Sequence, residues 1–414
     1  MEQTEIKSTE FDNTITTFLN HIESLWTSLP VVIKTINTTS NEAIQKHDVF
    51  LRENGEYVEQ DLHYLIKPEH RRYNHLLRKS ALNSILAKKI INRNFLVSLV
   101  SQFDTYISNT IRALYTVRPE LLNCSERILT FSELSKYQSI DDAKNYIIEK
   151  EIESILRESH TEQFKWFEKK LNIQLRKDLP IWSGFIEITQ RRNLFVHNDG
   201  KISSQYLNVC KENGVKNIQK LTIGDELEVD FEYFEKAFKC LFEIGVKLNQ
   251  VLRRNLIPDE INLADVSFLY ISFELIQNQQ YELAKELYDF SDKYIKRHST
   301  DDLRLRILLN RAQTYKWLDK QEECKKIIDN EDWTSKSDLF KLGSFVLLDD
   351  FKNAVAIMHN IGNNPKVIEK TSYIDWPIFK AFILTPEFKV AYQEIFNEPF
   401  ELIEEISKGL IQQN

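Results

Sequence analysis

At 414 residues the chain is too long for one ordinary domain of roughly 100–200 residues, and two or three are expected. The composition, 42% hydrophobic and 28% charged, is that of globular cores with solvated faces. A net charge of −8 argues against a non-specific nucleic-acid coat, and no stretch approaches the ~20 apolar residues of a membrane span. The N-terminal MEQTEIKSTEFDN is polar and acidic, unlike a secretory signal, so a cytoplasmic, soluble protein with no membrane partner is expected. Cys124, Cys210, Cys240 and Cys324 lie far apart without zinc-site spacing, and read as free thiols in a reducing compartment. Only nine glycines and nine prolines interrupt a chain rich in Leu, Ile, Lys, Glu and Asn, which predicts an all-α protein of long helices and short turns.

Residues 1–66 read as an N-terminal helical extension of one or two helices, with turn signals at Leu29-Pro30 and Asn54-Gly55. Between Lys67 and Arg118, ten Lys/Arg stand against Glu69 and Asp104, a local balance of +8. His70-Arg71-Arg72-Tyr73-Asn74-His75 within it carries stacking and phosphate-binding residue types, and reads as a solvated basic helix. From Ser80 to Val117 a long helix is predicted. Leu96, Val100, Phe103, Ile107, Ile111 and Leu114 form its apolar stripe, and Arg118-Pro119 ends it. Residues 131–175 continue as helices, one of them capped at Ser139. A looser stretch, 198–229, carries Gly200, Gly214 and Gly224, and a strong helix, FEYFEKAFKCLFEIGVKLNQVLRR, follows.

The break NLIPDEINL, Asn255 to Leu263, marks the start of a C-terminal region, 263–414, with a weak internal repeat. Three 21-residue segments beginning at Tyr270, Asn310 and Phe340 align without gaps. Tyr281, Gln321 and Phe351 fall in register, as do the small residues Ala284, Cys324 and Ala354. The pattern resembles tetratricopeptide-type helical hairpins, whose usual period is about 34 residues.

The segment IWSGFIEITQRRNLFVHNDG differs from its surroundings. Read as a helix, it sets Ile181, Phe185, Ile188, Phe195 and Val196 on one apolar stripe, and Arg192 falls on that stripe. A cation there must snorkel, find an acid or line a cleft, because an unpaired buried charge is prohibitively costly. Asn193 and His197, four apart, share a face, whereas Arg192 lies about 140° around from His197 on an ideal helix. Asn198-Asp199-Gly200 is a stop signal with Gly200 as a left-handed cap, which puts His197 in the last turn.

With the helices on either side, RNFLVSLVSQFDTYISNTIRALYTVRPELL before and VDFEYFEKAFKCLFEIGVKL after, Arg192-Asn193-Leu-Phe-Val-His197 resembles the HEPN superfamily, the helical nucleotide-binding proteins of higher eukaryotes and prokaryotes, whose signature is Arg-x(4–6)-His. The resemblance implies a helical bundle over residues 67–255 that pairs as a homodimer. It also implies a metal-independent endoribonuclease, without cofactor, that leaves a 2′,3′-cyclic phosphate and a 5′-hydroxyl. Carried over, His197 is the general acid or base, Arg192 stabilises charge on the scissile phosphate, and Asn193 positions the phosphate or the histidine. Arg191 is expected to face solvent or RNA, and Asp104 to pair with Arg192 or Arg191. The paired regions suggest a bacterial toxin or antiphage effector that cuts RNA, with the C-terminal repeats receiving a protein or phage-derived trigger. The alternative is a non-catalytic RNA-binding or dimerisation module carrying an interaction scaffold. No Gly-rich phosphate loop, nucleophile elbow or His-Glu-x-x-His motif occurs.

Overall fold

The structure is a computed structural model that describes residues 10–59, 63–124 and 127–401. Sixteen α-helices and one two-stranded hairpin are the regular elements among these residues, so the chain is all-α. The first nine residues, the side chain of Cys124 and the acidic tail from position 402 lie outside the described residues. No described helix is long and apolar enough to cross a membrane. Two compact units, Met1–Val251 and Leu252–Asn414, divide the chain, and the division falls inside the helix Phe231–Leu256.

The first unit begins with one helix, α1 (Glu10–Asn54), where two were allowed for, and Pro30 lies inside it. The Leu29-Pro30 turn signal is therefore overruled. An internal proline costs about 3 kcal/mol, but each fully buried large apolar side chain returns about 1.5–3 kcal/mol. Phe18, Ile22 and Leu29 are all buried on this helix, and Trp26 stacks on Phe238 at 5.0 Å. Asn54-Gly55 does end α1. The hairpin β1 (Gly55–Val58) and β2 (His63–Ile66) follows in antiparallel register, Gly55 opposite Ile66. A Cβ at Gly55 would lie 2.7 Å from the Leu51 carbonyl oxygen, which is why glycine stands there.

Helix α2 (Arg71–Val117) starts nine residues before the expected point and takes in most of the basic His70–His75 segment. Its six-residue apolar stripe, Leu96 to Leu114, is fully buried. Phe18 of α1 stacks on Tyr106 of α2 at 4.8 Å, and the Tyr106 hydroxyl donates to the Gly245 carbonyl at 3.0 Å. Next come α3 (Phe131–Leu134), α4 (Ile140–Arg157), α5 (His160–Leu171), α6 (Trp182–His197), α7 (Ser204–Glu212) and α8 (Phe231–Leu256). Ser139 caps α4 as expected, accepting from the Asp142 amide.

In the second unit three helical hairpins follow the repeat: α9 (Ile261–Gln277) with α10 (Tyr281–Tyr294), α11 (Asp301–Trp317) with α12 (Gln321–Asp329), and α13 (Asp338–Leu347) with α14 (Phe351–Ile361). Tyr281, Gln321 and Phe351 each open the second helix of a pair, and Ala284, Cys324 and Ala354 are buried at equivalent positions. Each first helix ends on a left-handed residue, Gln279, Asp319 or Asp349. The next amide reaches back to Leu275, Tyr315 or Phe345 at 2.8–3.0 Å, the bonding of a Schellman cap. The buried Lys316 ammonium donates to the Val346 and Leu347 carbonyls at 3.0 Å and pairs with Asp349, fastening one hairpin to the next. Two further helices, α15 (Ser372–Asp375) and α16 (Pro386–Phe396), close the unit over an aromatic core that includes Tyr373, Phe382 and Phe388.

Candidate active site

Helix α6 runs from Trp182 to His197, so His197 stands in its last turn as expected. Phe185 and Ile188 are buried, but Val196 is 48% exposed, which corrects its place in the apolar stripe. The last turn instead buries Leu194 in a small cluster with Ile202, Tyr206 and Cys210, and Phe195 packs against it and the Arg93 guanidinium, 5.1 Å away.

Arg192 finds its acid on α2. Its Nη2 lies 2.5 Å from Asp104 Oδ2, and the other carboxylate oxygen, Oδ1, is 2.9 Å from Nε2 of His160. Asp104 thus bridges an arginine on α6 and a histidine at the start of α5. His160 is held by two local devices. Ser159 caps α5 by accepting from the Glu162 amide, and the imidazole ring stands edge-on to Phe185 at 5.5 Å. The Nε of Arg192 is buried without a hydrogen-bond partner.

These groups line a cleft of about 750 Å³ between α5, α6 and α7, and Asn193 and His197 line it too. Arg192, Asn193, His197 and Asp104 are therefore brought together despite the ideal 140° separation of Arg192 from His197. Nothing in the sequence around His160 singles it out. It lies 56 residues from Asp104, and its one local mark is the Ser159 cap signal ahead of it.

Arg191 is placed elsewhere, and the expectation that it faces solvent or RNA is corrected. Its side chain is 15% exposed. It pairs with Glu187 at 2.8 Å, donates to the Glu228 carbonyl at 2.9 Å, and its guanidinium stacks over the Tyr233 ring at 3.9 Å. Tyr206 and Tyr233 donate to the same Glu187 carboxylate at 2.8 and 2.6 Å. Burial, reinforced by that carboxylate, pushes both phenols above their ordinary range, so they remain donors.

The chain leaves α6 through two left-handed residues, Asp199 and the foreseen cap Gly200 (φ 76°). The Gly200 amide bonds back to the Leu194 carbonyl at 3.0 Å. A Cβ at Gly200 would meet the Phe195 ring at 3.0 Å. Arg93 from α2 clamps this turn, contacting Asp199 Oδ1 at 3.3 Å while pairing with Glu226. Hydrogen bonds from Lys89 and Arg93 hold the Glu226 carboxyl down to about 2.

Cys210, Cys240 and Cys324 are buried and unpaired, and burial pushes the Cys210 thiol up to about 12, the reverse of a reactive cysteine. No group of three His, Cys, Asp or Glu side chains suited to a metal ion occurs among the described residues. The chain matches no family model, no curated protein and no solved structure.

Proposed function

We propose that the chain is a metal-independent endoribonuclease of the HEPN type, working in the cytoplasm as a homodimer. Its role is that of a bacterial toxin or antiphage effector, and its C-terminal helical hairpins receive the protein or phage-derived trigger. The supporting observation is that Arg192, Asn193 and His197 share one polar cleft, with the Arg192 guanidinium held by Asp104. A guanidinium on the wall of a polar cleft suits a phosphate oxygen, because charge-assisted hydrogen bonds are the stronger ones.

In this reaction His197 removes the proton from a ribose 2′-hydroxyl. The 2′-oxygen attacks the adjacent phosphorus, the bond from phosphorus to the 5′-oxygen breaks, and an imidazolium returns a proton to the leaving oxygen. Arg192 stabilises the charge that grows on the non-bridging oxygens, and Asn193 orients the phosphate. The products are a 2′,3′-cyclic phosphate and a 5′-hydroxyl. Asp104 orients Arg192 and leaves part of its fork free.

The second reading is a non-catalytic RNA-binding or dimerisation module with an interaction scaffold. It is favoured by the same ion pair, since Asp104 balances the Arg192 charge without any ligand. Incubating RNA with wild type, Arg192→Ala and His197→Ala in excess chelator separates the two. The nuclease reading expects wild-type cleavage in chelator and its loss in both variants. Cleavage that survives either substitution, or that chelator abolishes, would sink it, and an inert wild type that binds RNA would establish the scaffold.

A further inference from the structure

The distal halves of α1 and α2 form a two-helix arm. Its seam mixes small and polar contacts with half-buried apolar side chains such as Phe50, which packs on Tyr73 at 5.2 Å. Ala81 and Ser40 are buried, Ser84 donates to Ser40 at 3.3 Å, and His47 bonds Asn74 at 2.9 Å. Large apolar side chains sit on the opposite side of α2. Leu76, Leu82, Leu86 and Ile90 are each between 41% and 55% exposed, and fall within about 120° of the helix circumference. Tyr73 near the arm's tip, and Tyr57 and Leu65 on the β-hairpin there, are exposed as well. An exposed apolar stripe of this kind, interspersed with Lys79 and Asn83, marks a surface that something covers.

Charge selects the occupant. Arg71, Arg72, Arg78 and Lys79 lie in or beside the stripe, and none has an ion-pair partner among the described residues, unlike Lys89, which pairs with Glu226. A second copy docked face to face would bring eight such cations together in a desolvated contact, which is unfavourable. RNA would satisfy the cations but offers nothing to four Leu/Ile side chains, because single strands are held by aromatic stacking. A ridge also presents no groove for a partner helix. An anionic bilayer surface meets both demands. Leucines enter the acyl boundary, basic side chains snorkel to the phosphates, and tyrosines sit at headgroup level.

We propose that this face of α2 lies on anionic phospholipid membranes as a peripheral contact. The expectation of no membrane partner rested on the want of a spanning segment, which a surface-lying helix does not need. The proposal is independent of the nuclease reading.

The test is co-sedimentation of the full chain with vesicles of phosphatidylcholine alone and of phosphatidylcholine with about 30% phosphatidylglycerol. Wild type is expected to pellet at least tenfold more with the anionic vesicles, and less as salt rises. Leu82→Glu/Leu86→Glu and Arg72→Glu/Lys79→Glu should each lose that binding at least tenfold while keeping the wild-type thermal transition, since all four side chains are exposed. Pelleting equal with both vesicle types, or undiminished in the leucine variant, would overturn the proposal. So would self-association in sedimentation velocity that the leucine variant abolishes, which would give the face to a second copy. RNA binding lost in the charge variant, with vesicle binding absent in wild type, would give it to nucleic acid.

Discussion

Arg191 and Arg192 are neighbours on one helix, and each pairs with a carboxylate, yet they serve different ends. Arg191 is held by Glu187, the Glu228 carbonyl and the Tyr233 ring, in a cluster that ties α6 to α8 and, through Tyr206, to α7. Arg192 shares Asp104 with His160, keeps a buried Nε without a partner, and lines the cleft. The difference teaches that pairing alone does not classify a buried arginine. What separates them is the company of the guanidinium: a carboxylate, a carbonyl and a ring around Arg191, but for Arg192 a carboxylate shared with a histidine beside the cleft of Asn193 and His197.

The largest expected effect is on the cleft side. Arg192→Ala should lower single-turnover RNA cleavage on the order of 10²–10³-fold while leaving the thermal midpoint within a few degrees. A loss under tenfold would erase the distinction drawn between the two arginines. Arg191→Met should do the reverse. Unfolding in urea should show about 2–4 kcal/mol lost, because Glu187 is stranded with only its tyrosines, while cleavage per folded molecule stays within about threefold. Equal losses of activity in both variants would mean that the two sides of α6 are one functional unit.

His160→Phe tests the link through Asp104. Cleavage should fall roughly 10- to 100-fold through misplacement of Arg192. The pH–rate profile should keep its wild-type shape, because His197 still carries the proton. A changed profile in His160→Phe would promote His160 from a positioning residue to a proton carrier. Gly200→Ala should destabilise by about 1–2 kcal/mol, since an alanine must hold φ 76° with its Cβ against Phe195. Calorimetry of that variant beside its cleavage rate shows how far the turn after His197 supports the site.

The smallest effect is electrostatic. Glu226 has a depressed carboxyl, so its stabilisation is full above the ordinary value near 4.5 and is lost as pH falls towards about 2. The gap in thermal midpoint between wild type and Glu226→Gln should be constant near neutrality and shrink between those values. A gap that widened in acid would contradict the Lys89–Glu226–Arg93 arrangement.

Features governed by near neighbours in the chain were legible. Ser139 as a cap, Arg118-Pro119 and Asn54-Gly55 as helix ends, and Gly200 as a left-handed residue all follow from backbone chemistry within a few positions. So does the repeat, because Tyr281, Gln321 and Phe351 begin helices after the same capping turn. Pro30 shows the limit. Its local signal said turn, and burial of Phe18, Ile22 and Leu29 on the same helix outweighed it.

By itself, then, the sequence determined the all-α class, most helix ends, the hairpin register and the need of Arg192 for a partner. Each depends on propensities, caps or periodicity that act within a turn or two. Tertiary structure alone decided that Asp104, 88 residues away, takes Arg192 rather than Arg191, that His160 shares it, and that Arg191 turns to Glu187. Adjacent side chains on a helix point about 100° apart, so one residue step sent one arginine to the Glu187 cluster and the next to the cleft of Asn193 and His197.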